Sequence, residues 1–445
     1  EENFNWSLKL AKTLKDEKIW NSVLWSQLIR GWRDLPFSED ELSVLLNILN
    51  CDSLIKHQKD NLAFFLTGMD GDNDNTVPEV QYKEADKLAI NIWEYLEKEK
   101  ETGEQFLDSQ DPWASASKST AGDVTRFWLK ALSDLTKGDG SGTKEIPEPY
   151  KQRVSKIVTS DSEVARAGQV FIGSSVGFLF NLDSVWVQEN IIPLFDADNN
   201  YNCAKSVWIG YLRSGGINPS VIPHLENYYR KLFSRIDKFF QKEKYVDRFT
   251  GHVVTIAINY FDDPLNDWVM PFVSQTTEKY PAKFAQKLKE GLKNLDSNEL
   301  KKIWDCWLEE YWRKRTQDNP IDFSRVEATA MGKLVFELKP VLDDAVAKFI
   351  DGPIPSLEQD GLLYYLKRSD LPKERPNTTV QFLIHATNDP DSLKPPLCRW
   401  VKEMAKKIIE RSVKQLKVKL LLDNLTQGGC QDLECLYEMN NDNTC

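Results

Sequence analysis

The sequence is poor in histidine, the residue that most often serves as a catalytic base or metal ligand. Its 445 residues include only four histidines, His57, His224, His252 and His385. None belongs to an H-E-x-x-H motif, and none stands beside a C-x-x-C pair. A Walker A loop and a G-x-G-x-x-G segment after a strand are also missing. The sequence therefore predicts no metal site and no nucleotide or other cofactor site within these residues.

Cysteine is sparse and irregularly placed. An odd number of cysteines, seven, is scattered along the chain without the regular spacing of a disulfide framework. Cys430 and Cys435 have no second pair with which to bind zinc. The pattern favours free thiols in a reducing compartment.

Long apolar runs and an excess of positive charge are missing as well. No stretch approaches the length of about 18 apolar residues that a membrane span needs, and no signal peptide is visible. We therefore expect a cytoplasmic protein without membrane contact. A net charge of −11 argues against a nucleic-acid partner. The best basic cluster, Arg313 to Arg315, is predicted to be the solvated carboxyl end of a helix.

What the sequence does contain is helical periodicity. Ser38 with Glu41, and Asp296 with Glu299, are capping-box pairs that each precede an apolar run. The 14 tryptophans fall largely at spacings that suit packing between helices. The β-branched segment 252–260 resembles a strand, but its helical surroundings favour a buried helix. We predict an all-α fold, an α-solenoid-like array of packed helical hairpins with few or no strands.

Glycine and proline clusters predict the domain organisation. Five segments are expected: an N-terminal helical subdomain (1–136), a linker (137–149), a central helical array (150–350), a proline-rich connection (351–376) and a C-terminal helical tail (377–445).

One segment matches the nucleophile elbow of serine hydrolases. Residues 173–177 read G-S-S-V-G, and Ser175 would be the nucleophile if residues 169–172 formed a strand. Asp196 or Asp198, with His224 or His252, would complete the order of a catalytic triad. The competing interpretation is one helix from about 161 to 182, in which Gly173 and Gly177 let a neighbouring helix approach closely.

Two acidic loops partly match calcium-binding loops. The first, beginning Asp70-x-Asp72-x-Asp74, lacks both the glycine at position six and the glutamate at position twelve. The second, Asp196-x-Asp198-x-Asn200, fails at position six in the same way. Both are predicted to be turn and cap segments rather than ion sites.

Four stretches together resemble a known protein family. They are WSQLIRGW (25–32), AGDVTRFWLKAL (121–132), FLFNLDSVWVQENIIPLFD (178–196) and GGCQDLECL (428–436). They are similar to the helical region of unknown function that follows a sirtuin-like domain in bacterial antiphage defence proteins. The third stretch is the most specific of the four.

The resemblance implies that a sirtuin-like domain hydrolyses NAD, while the helical region restrains it and responds to a phage protein. The chain begins Glu-Glu without an initiator methionine, so we expect that domain upstream. The resemblance transfers no catalytic residue. It marks seven structural positions: Trp25, Trp32, Trp128, Asp183, Trp186, Pro193 and Asp196.

Two of these positions have expected roles: Asp183 would cap a helix with Trp186 in its first turn, and Pro193 would end or kink that helix. A homo-oligomer is a possible assembly. The alternative function is a free-standing α-solenoid adaptor that binds proteins.

Overall fold

The computed structural model describes residues 2–33, 35, 37–68, 79–99, 109, 111–137, 145–214, 216–277, 279–357, 361–411 and 415–442. Helices are the only regular secondary structure in these ranges. The all-α prediction is therefore confirmed, including the buried helix across 252–260, which lies almost entirely in the helix Glu243–Asn259. The chain divides into two compact units, Glu1–Tyr228 and Tyr229–Cys445.

The first unit contains α1 to α12 and the start of α13. Their bounds are α1 Glu2–Asp16, α2 Val23–Trp32, α3 Glu39–Leu49, α4 Asp52–Thr67, α5 Glu79–Glu99, α6 Pro112–Ser117, α7 Thr120–Lys137, α8 Glu148–Val158, α9 Glu163–Ser174, α10 Val176–Leu182, α11 Ser184–Asn190, α12 Tyr201–Arg213 and α13 Ile222–Phe233, with a 3-10 turn at Ile192–Phe195.

The second unit contains the rest of α13 and α14 to α27. Their bounds are α14 Ile236–Phe240, α15 Glu243–Asn259, α16 Met270–Gln275, α17 Lys279–Leu292, α18 Ser297–Ile303, α19 Glu309–Arg315, α20 Arg325–Leu334, α21 Leu342–Ile350, α22 Leu362–Arg368, α23 Leu371–Glu374, α24 Pro376–Ala386, α25 Pro395–Ile409, α26 Gln415–Gln427 and α27 Glu434–Asp442. Two π-helical segments, Leu265–Val269 and Trp304–Leu308, and 3-10 turns at Val335–Glu337, Lys339–Val341 and Pro390–Ser392 complete it.

Both units are built from helices that pack on near neighbours in the chain, as in an α-solenoid. In the first unit α4 packs on α7, α7 on α9 and α9 on α12. In the second, α15 packs on α17, α17 on α20 and α24 on α26. Both predicted capping boxes form, at Ser38 with Glu41 and at Asp296 with Glu299.

The close contact between α9 and α12 in the first unit depends on two glycines. A Cβ atom added to Gly173 of α9 would lie 2.1 Å from the carbonyl oxygen of Val207 in α12. One added to Gly210 of α12 would lie 1.8 Å from the carbonyl oxygen of Val170 in α9. Because the obstacle on each side is backbone, only glycine permits this approach. The predicted close approach is thus confirmed at Gly173, whereas Gly177 faces the side chain of Asn218 instead.

The second unit contains a fully buried ion pair. Arg315 donates from Nε and Nη2 to the two carboxylate oxygens of Glu327, each at 2.8 Å, and both side chains are at most 1% exposed. The guanidinium also donates to the carbonyl oxygens of Asn319, Ile321 and Asp322. The prediction of a solvated basic cluster is therefore wrong at Arg315, which fixes the loop between α19 and α20.

The second unit also contains a disulfide, between Cys398 of α25 and Cys430 after α26. The prediction of free thiols is wrong for this pair. Helices α25 and α26 pack together and bring the two cysteines to a Cα–Cα distance of 5.5 Å, although 32 residues separate them in sequence. Four other cysteines, Cys51, Cys203, Cys306 and Cys435, are free.

The predicted segment boundaries differ from the division into two units. The linker 137–149 falls inside the first unit, where its Ile146 side chain is buried. The connection 351–376 falls inside the second, where Leu362, Leu363 and Leu366 of α22 are buried. Apolar residues of each segment are therefore packed inside a unit. The glycine and proline content of the segments alone did not predict this packing.

In the ranges described above, no helix combines the length and apolar character that a membrane span requires.

Candidate functional site at a helix corner

The most specific stretch of the family resemblance, 178–196, forms a sharp corner between two short helices of the first unit. Helix α10 ends at Leu182, Asp183 adopts a non-helical conformation, and α11 begins at Ser184. A carboxylate oxygen of Asp183 accepts a hydrogen bond from the backbone N–H of Trp186 at 3.1 Å. This is the cap predicted from the sequence, and it satisfies one of the unpaired donors of the first turn.

The chain leaves this corner through a short turn. Helix α11 ends at Asn190, and Pro193 lies in the first turn of the 3-10 segment that follows. This agrees with the expectation that proline ends the helix, since Pro cannot donate the backbone bond that would continue it.

The Asp183 carboxylate also ties the corner to α8. Its Oδ2 atom accepts from Lys151 Nζ at 2.9 Å and from the backbone N–H of Ile146 at 3.4 Å. Burial tends to raise the pKa of Asp183, but hydrogen bonds from Lys151, Trp186 and Ile146 hold it below its ordinary value. The hydrogen bond to Asp183 raises the pKa of Lys151. Both groups are therefore charged at neutral pH, and they anchor the corner.

Two adjacent clefts open along α10. The first, with a volume of about 590 Å³, lies between the corner and the start of α8 and is lined by the rings of Phe180 and Trp186, by the Lys151–Asp183 pair and by Glu189. The second, of about 470 Å³, lies between α10 and the loop before α13, and the two clefts share Asn181.

A loop residue holds the second cleft in shape. Asn218 donates from Nδ2 to the carbonyl oxygen of Gly177 at 3.1 Å and to Oδ1 of Asn181 at 3.0 Å. The same side chain accepts from the backbone N–H of Ser220 at 2.9 Å. The side chain of Asn218 thus attaches the loop to α10 at Gly177 and at Asn181, which are one helical turn apart.

The rim of the corner presents apolar surface. Val185 is 65% exposed in the first turn of α11, and Trp186 beside it is half-buried. The rim thus places an exposed aliphatic side chain beside a tryptophan, and tryptophan is among the residues that contribute most at protein interfaces. The arrangement therefore suits binding, and its charged groups are used to hold its shape.

The structure does not form the nucleophile elbow suggested at Ser175. Residues 169–172 lie inside α9 and not in a strand, and Ser175 is the junction at which α9 ends and α10 begins. The ring of His224, one candidate base, packs on Phe180 with centroids 5.3 Å apart. The other, His252, is hydrogen-bonded to Tyr229 at 2.8 Å in the second unit. The expected single helix 161–182 is likewise interrupted, at Ser175.

The second acidic loop behaves as a turn and a cap. A carboxylate oxygen of Asp196 accepts from the backbone N–H of Asp198, and Asn200 caps α12 through Cys203. The first loop, Asp70 to Asp74, lies outside the described residues. In the part of the chain that is described, no group of three or more His, Cys, Asp or Glu side chains is arranged to hold a metal ion.

Three of the four tryptophans marked by the resemblance are core residues with satisfied indole groups. Trp25 donates to the carbonyl oxygen of Ile19, Trp32 to the hydroxyl of Ser7 and Trp128 to the carboxylate of Asp86, at 2.7 to 2.8 Å. All three are at most 3% exposed. They position helices of the first unit and do not line either cleft.

Sequence reasoning missed the partners of the corner. Lys151 and Asn218 lie far from the 178–196 stretch in sequence, and neither belongs to a motif. The signal available was the helix cap predicted at Asp183, because a capping carboxylate needs a counter-charge once it is buried.

Comparisons with known proteins give a partial match. A family model described as "Domain of unknown function (DUF4020)" matches residues 254–389, within the second unit. No curated protein matches the chain. A crystal structure of an engineered protein is 15% identical, with 94% of this chain and 98% of that chain covered and a TM-score of 0.36. The corner lies outside the residues that the family model matches.

Proposed function

We propose that this chain is the non-catalytic sensor and scaffold region of a bacterial antiphage defence protein, and that it controls an attached sirtuin-like domain that hydrolyses NAD. The observation that carries the proposal is the corner itself. The stretch with the most specific family resemblance forms an exposed rim, and its ionised residues anchor that rim.

The proposed trigger is a phage protein that binds the corner. Val185 and Trp186 supply the apolar contact, and the two clefts accept side chains of the partner. Binding a rigid corner costs little conformational entropy, because Asp183, Lys151 and Asn218 already fix its shape. The trigger then shifts the attached enzyme from a restrained to an active state.

The test uses the full protein in cells challenged with phage, with cellular NAD as the readout. Val185→Lys places a charge on the rim without disturbing the core, and Trp186→Ala removes the adjacent ring. We expect both variants to abolish NAD depletion after infection, with normal NAD levels before infection. Depletion that proceeds unchanged in both variants, or in a protein lacking the whole region, contradicts the sensing role.

A matched control is present in the same unit. Val23 is 74% exposed in the first turn of α2, as Val185 is in α11. Val23→Lys introduces the same charge at a comparable position away from the corner. We expect it to deplete NAD like the wild type, which separates loss of the trigger from a general effect of surface charge.

The alternative is an α-solenoid adaptor that binds proteins without controlling an NAD hydrolase. It is favoured by the packing of helices on near neighbours, which exposes long binding surfaces. Under this alternative, the corner variants lose partner binding while NAD levels are the same in every strain during infection.

A further inference from the structure

The second unit carries an exposed cluster of aromatic rings where α22 meets α25. Tyr364 and Tyr365 are 40% and 47% exposed, and Trp400 is half-buried. The rings of Tyr364 and Trp400 lie 5.7 Å apart, and those of Tyr364 and Tyr365 lie 6.2 Å apart. Exposed apolar residues that are scattered singly over a surface need no explanation, but a contiguous group of large aromatic side chains does.

A positively charged side chain lies over each of these rings. The Lys289 ammonium lies 3.9 Å from the ring centre of Tyr365, the Arg368 guanidinium lies 5.2 Å from that of Tyr364, and the Lys367 ammonium lies 5.9 Å from that of Trp400. These are cation–π distances. We call the six residues the aromatic–cation cluster: Lys289, Tyr364, Tyr365, Lys367, Arg368 and Trp400.

The cluster has an excess of positive charge. Lys367 and Arg399 share one carboxylate, Glu403, at 2.7 and 3.3 Å, and Arg399 is 80% exposed. Within the described ranges, no carboxylate pairs with Lys289 or Arg368. Arg368 has five N–H donors and uses one of them on the Tyr364 hydroxyl, at 2.7 Å. Within the described ranges, Glu403 is therefore the one carboxylate paired with any of the three cations of the cluster or with the neighbouring Arg399, in a chain whose net charge is −11.

The composition favours a protein partner over a nucleic acid. Tyrosine, tryptophan and arginine are the residues that contribute most at protein interfaces. The negative charge of the whole chain also opposes a polyanion at long range. A short acidic segment with an apolar residue satisfies both parts of the cluster, since its carboxylates pair with the guanidinium groups and its side chain packs on the rings.

We propose that the aromatic–cation cluster is a docking site for an acidic, partly apolar segment of a partner protein. The rings and Glu403 already hold the cations in place, so the ordering cost of long side chains is reduced on binding. This inference does not depend on the control of an NAD hydrolase, and it concerns a different unit from the α10–α11 corner.

The test is selection of short random peptides, displayed on yeast, with the labelled chain. We expect the selected peptides to be enriched in Asp and Glu around an aromatic or aliphatic residue, and to bind more weakly as salt is raised. Arg368→Glu and Tyr365→Ala should each weaken binding about tenfold or more. Tyr365→Phe keeps the ring and should retain binding, which shows that the ring and not the hydroxyl is required.

Matched controls lie elsewhere on the chain. Arg313 is 46% exposed on α19 in the same unit, and Tyr201 is 42% exposed in the other unit. Arg313→Glu and Tyr201→Ala should bind the selected peptides like the wild type.

Three outcomes would overturn the proposal. The first is a selection that yields no binders, or binders without an acidic excess. The second is equal binding of the peptides by Arg368→Glu and the wild type. The third is another occupant: a labelled single-stranded oligonucleotide that competes with the peptides, or self-association of the chain, in either case lost in Arg368→Glu.

Discussion

The glycine contact between α9 and α12 makes a quantitative prediction, because the same substitution should have opposite effects at two kinds of helical glycine. A Cβ atom at Gly173 or Gly210 would lie 2.1 or 1.8 Å from a backbone carbonyl oxygen of the facing helix. At Gly31 of α2 it would meet nothing within 4 Å. Replacing a helical glycine by alanine stabilises by about 0.5–1 kcal/mol where space allows.

At the contact, that gain is outweighed by overpacking. Inserting a methyl group into a filled core costs about 1–3 kcal/mol, and the upper end applies here since a backbone carbonyl has no rotamer into which to move. We therefore expect Gly173→Ala and Gly210→Ala to destabilise the first unit by about 2 kcal/mol each. Gly31→Ala should stabilise it by about 0.5–1 kcal/mol.

Hydrogen exchange of the α9 and α12 amides is the appropriate measurement, since it reports the opening free energy of this region separately from the second unit. Urea unfolding of the same three variants gives an independent value. A Gly173→Ala protein that is as stable as Gly31→Ala would refute the reasoning, because it would mean that the two helices do not approach as closely as the structure shows.

Three further predictions concern the second unit. Arg315→Met should lower the free energy of unfolding by about 3–5 kcal/mol by leaving the Glu327 carboxylate buried without its partner, and Arg315→Met with Glu327→Met should recover much of this loss in the same urea titration. Burial, aided by Arg248, lowers the pKa of His252 to about 4. As the pH falls below about 6.5, the unfolded chain therefore binds a proton at His252 before the folded chain does. The free energy of unfolding of the second unit should fall by about 2 kcal/mol by about pH 5. His252→Asn should remove this pH dependence from unfolding curves, and a variant with the wild-type slope would show that another group is responsible. The Cys398–Cys430 bond closes a loop of 32 residues, so a reductant should lower stability by about 4 kcal/mol, and a Cys398→Ser protein should no longer respond to it.

Most of the fold could be predicted from patterns among residues close together in the sequence. Capping boxes at Ser38 and Asp296, the cap at Asp183 and the periodic tryptophans are all features of residues within about one or two helical turns of each other. Each interaction is decided by near neighbours in sequence, and each formed as predicted. The break at Ser175 was missed because helical periodicity continues across it, and nothing local marks where a helix must bend to fit its neighbours.

The interactions that could not be predicted from the sequence are of a different kind. Neither partner belongs to a recognisable sequence pattern, and only the fold brings the two residues together. Arg315 looked like the solvated end of a basic helix, because Glu327 is 12 residues away on another helix. Cys398 and Cys430 gave no pairing signal for the same reason. The corner at Asp183 is intermediate, since its cap is local but its counter-charge, Lys151, comes from α8.

This contrast bears on where binding surfaces are found. Local patterns predict the residues that build helices, and the resemblance marked Trp25, Trp32 and Trp128, which are buried and serve the core. Surfaces assembled from several helices have no such pattern: the aromatic–cation cluster takes one cation from α17 and its rings from α22 and α25. A sequence without catalytic motifs can therefore still specify recognition, because recognition depends on which helices meet at the surface, and that is decided by their packing.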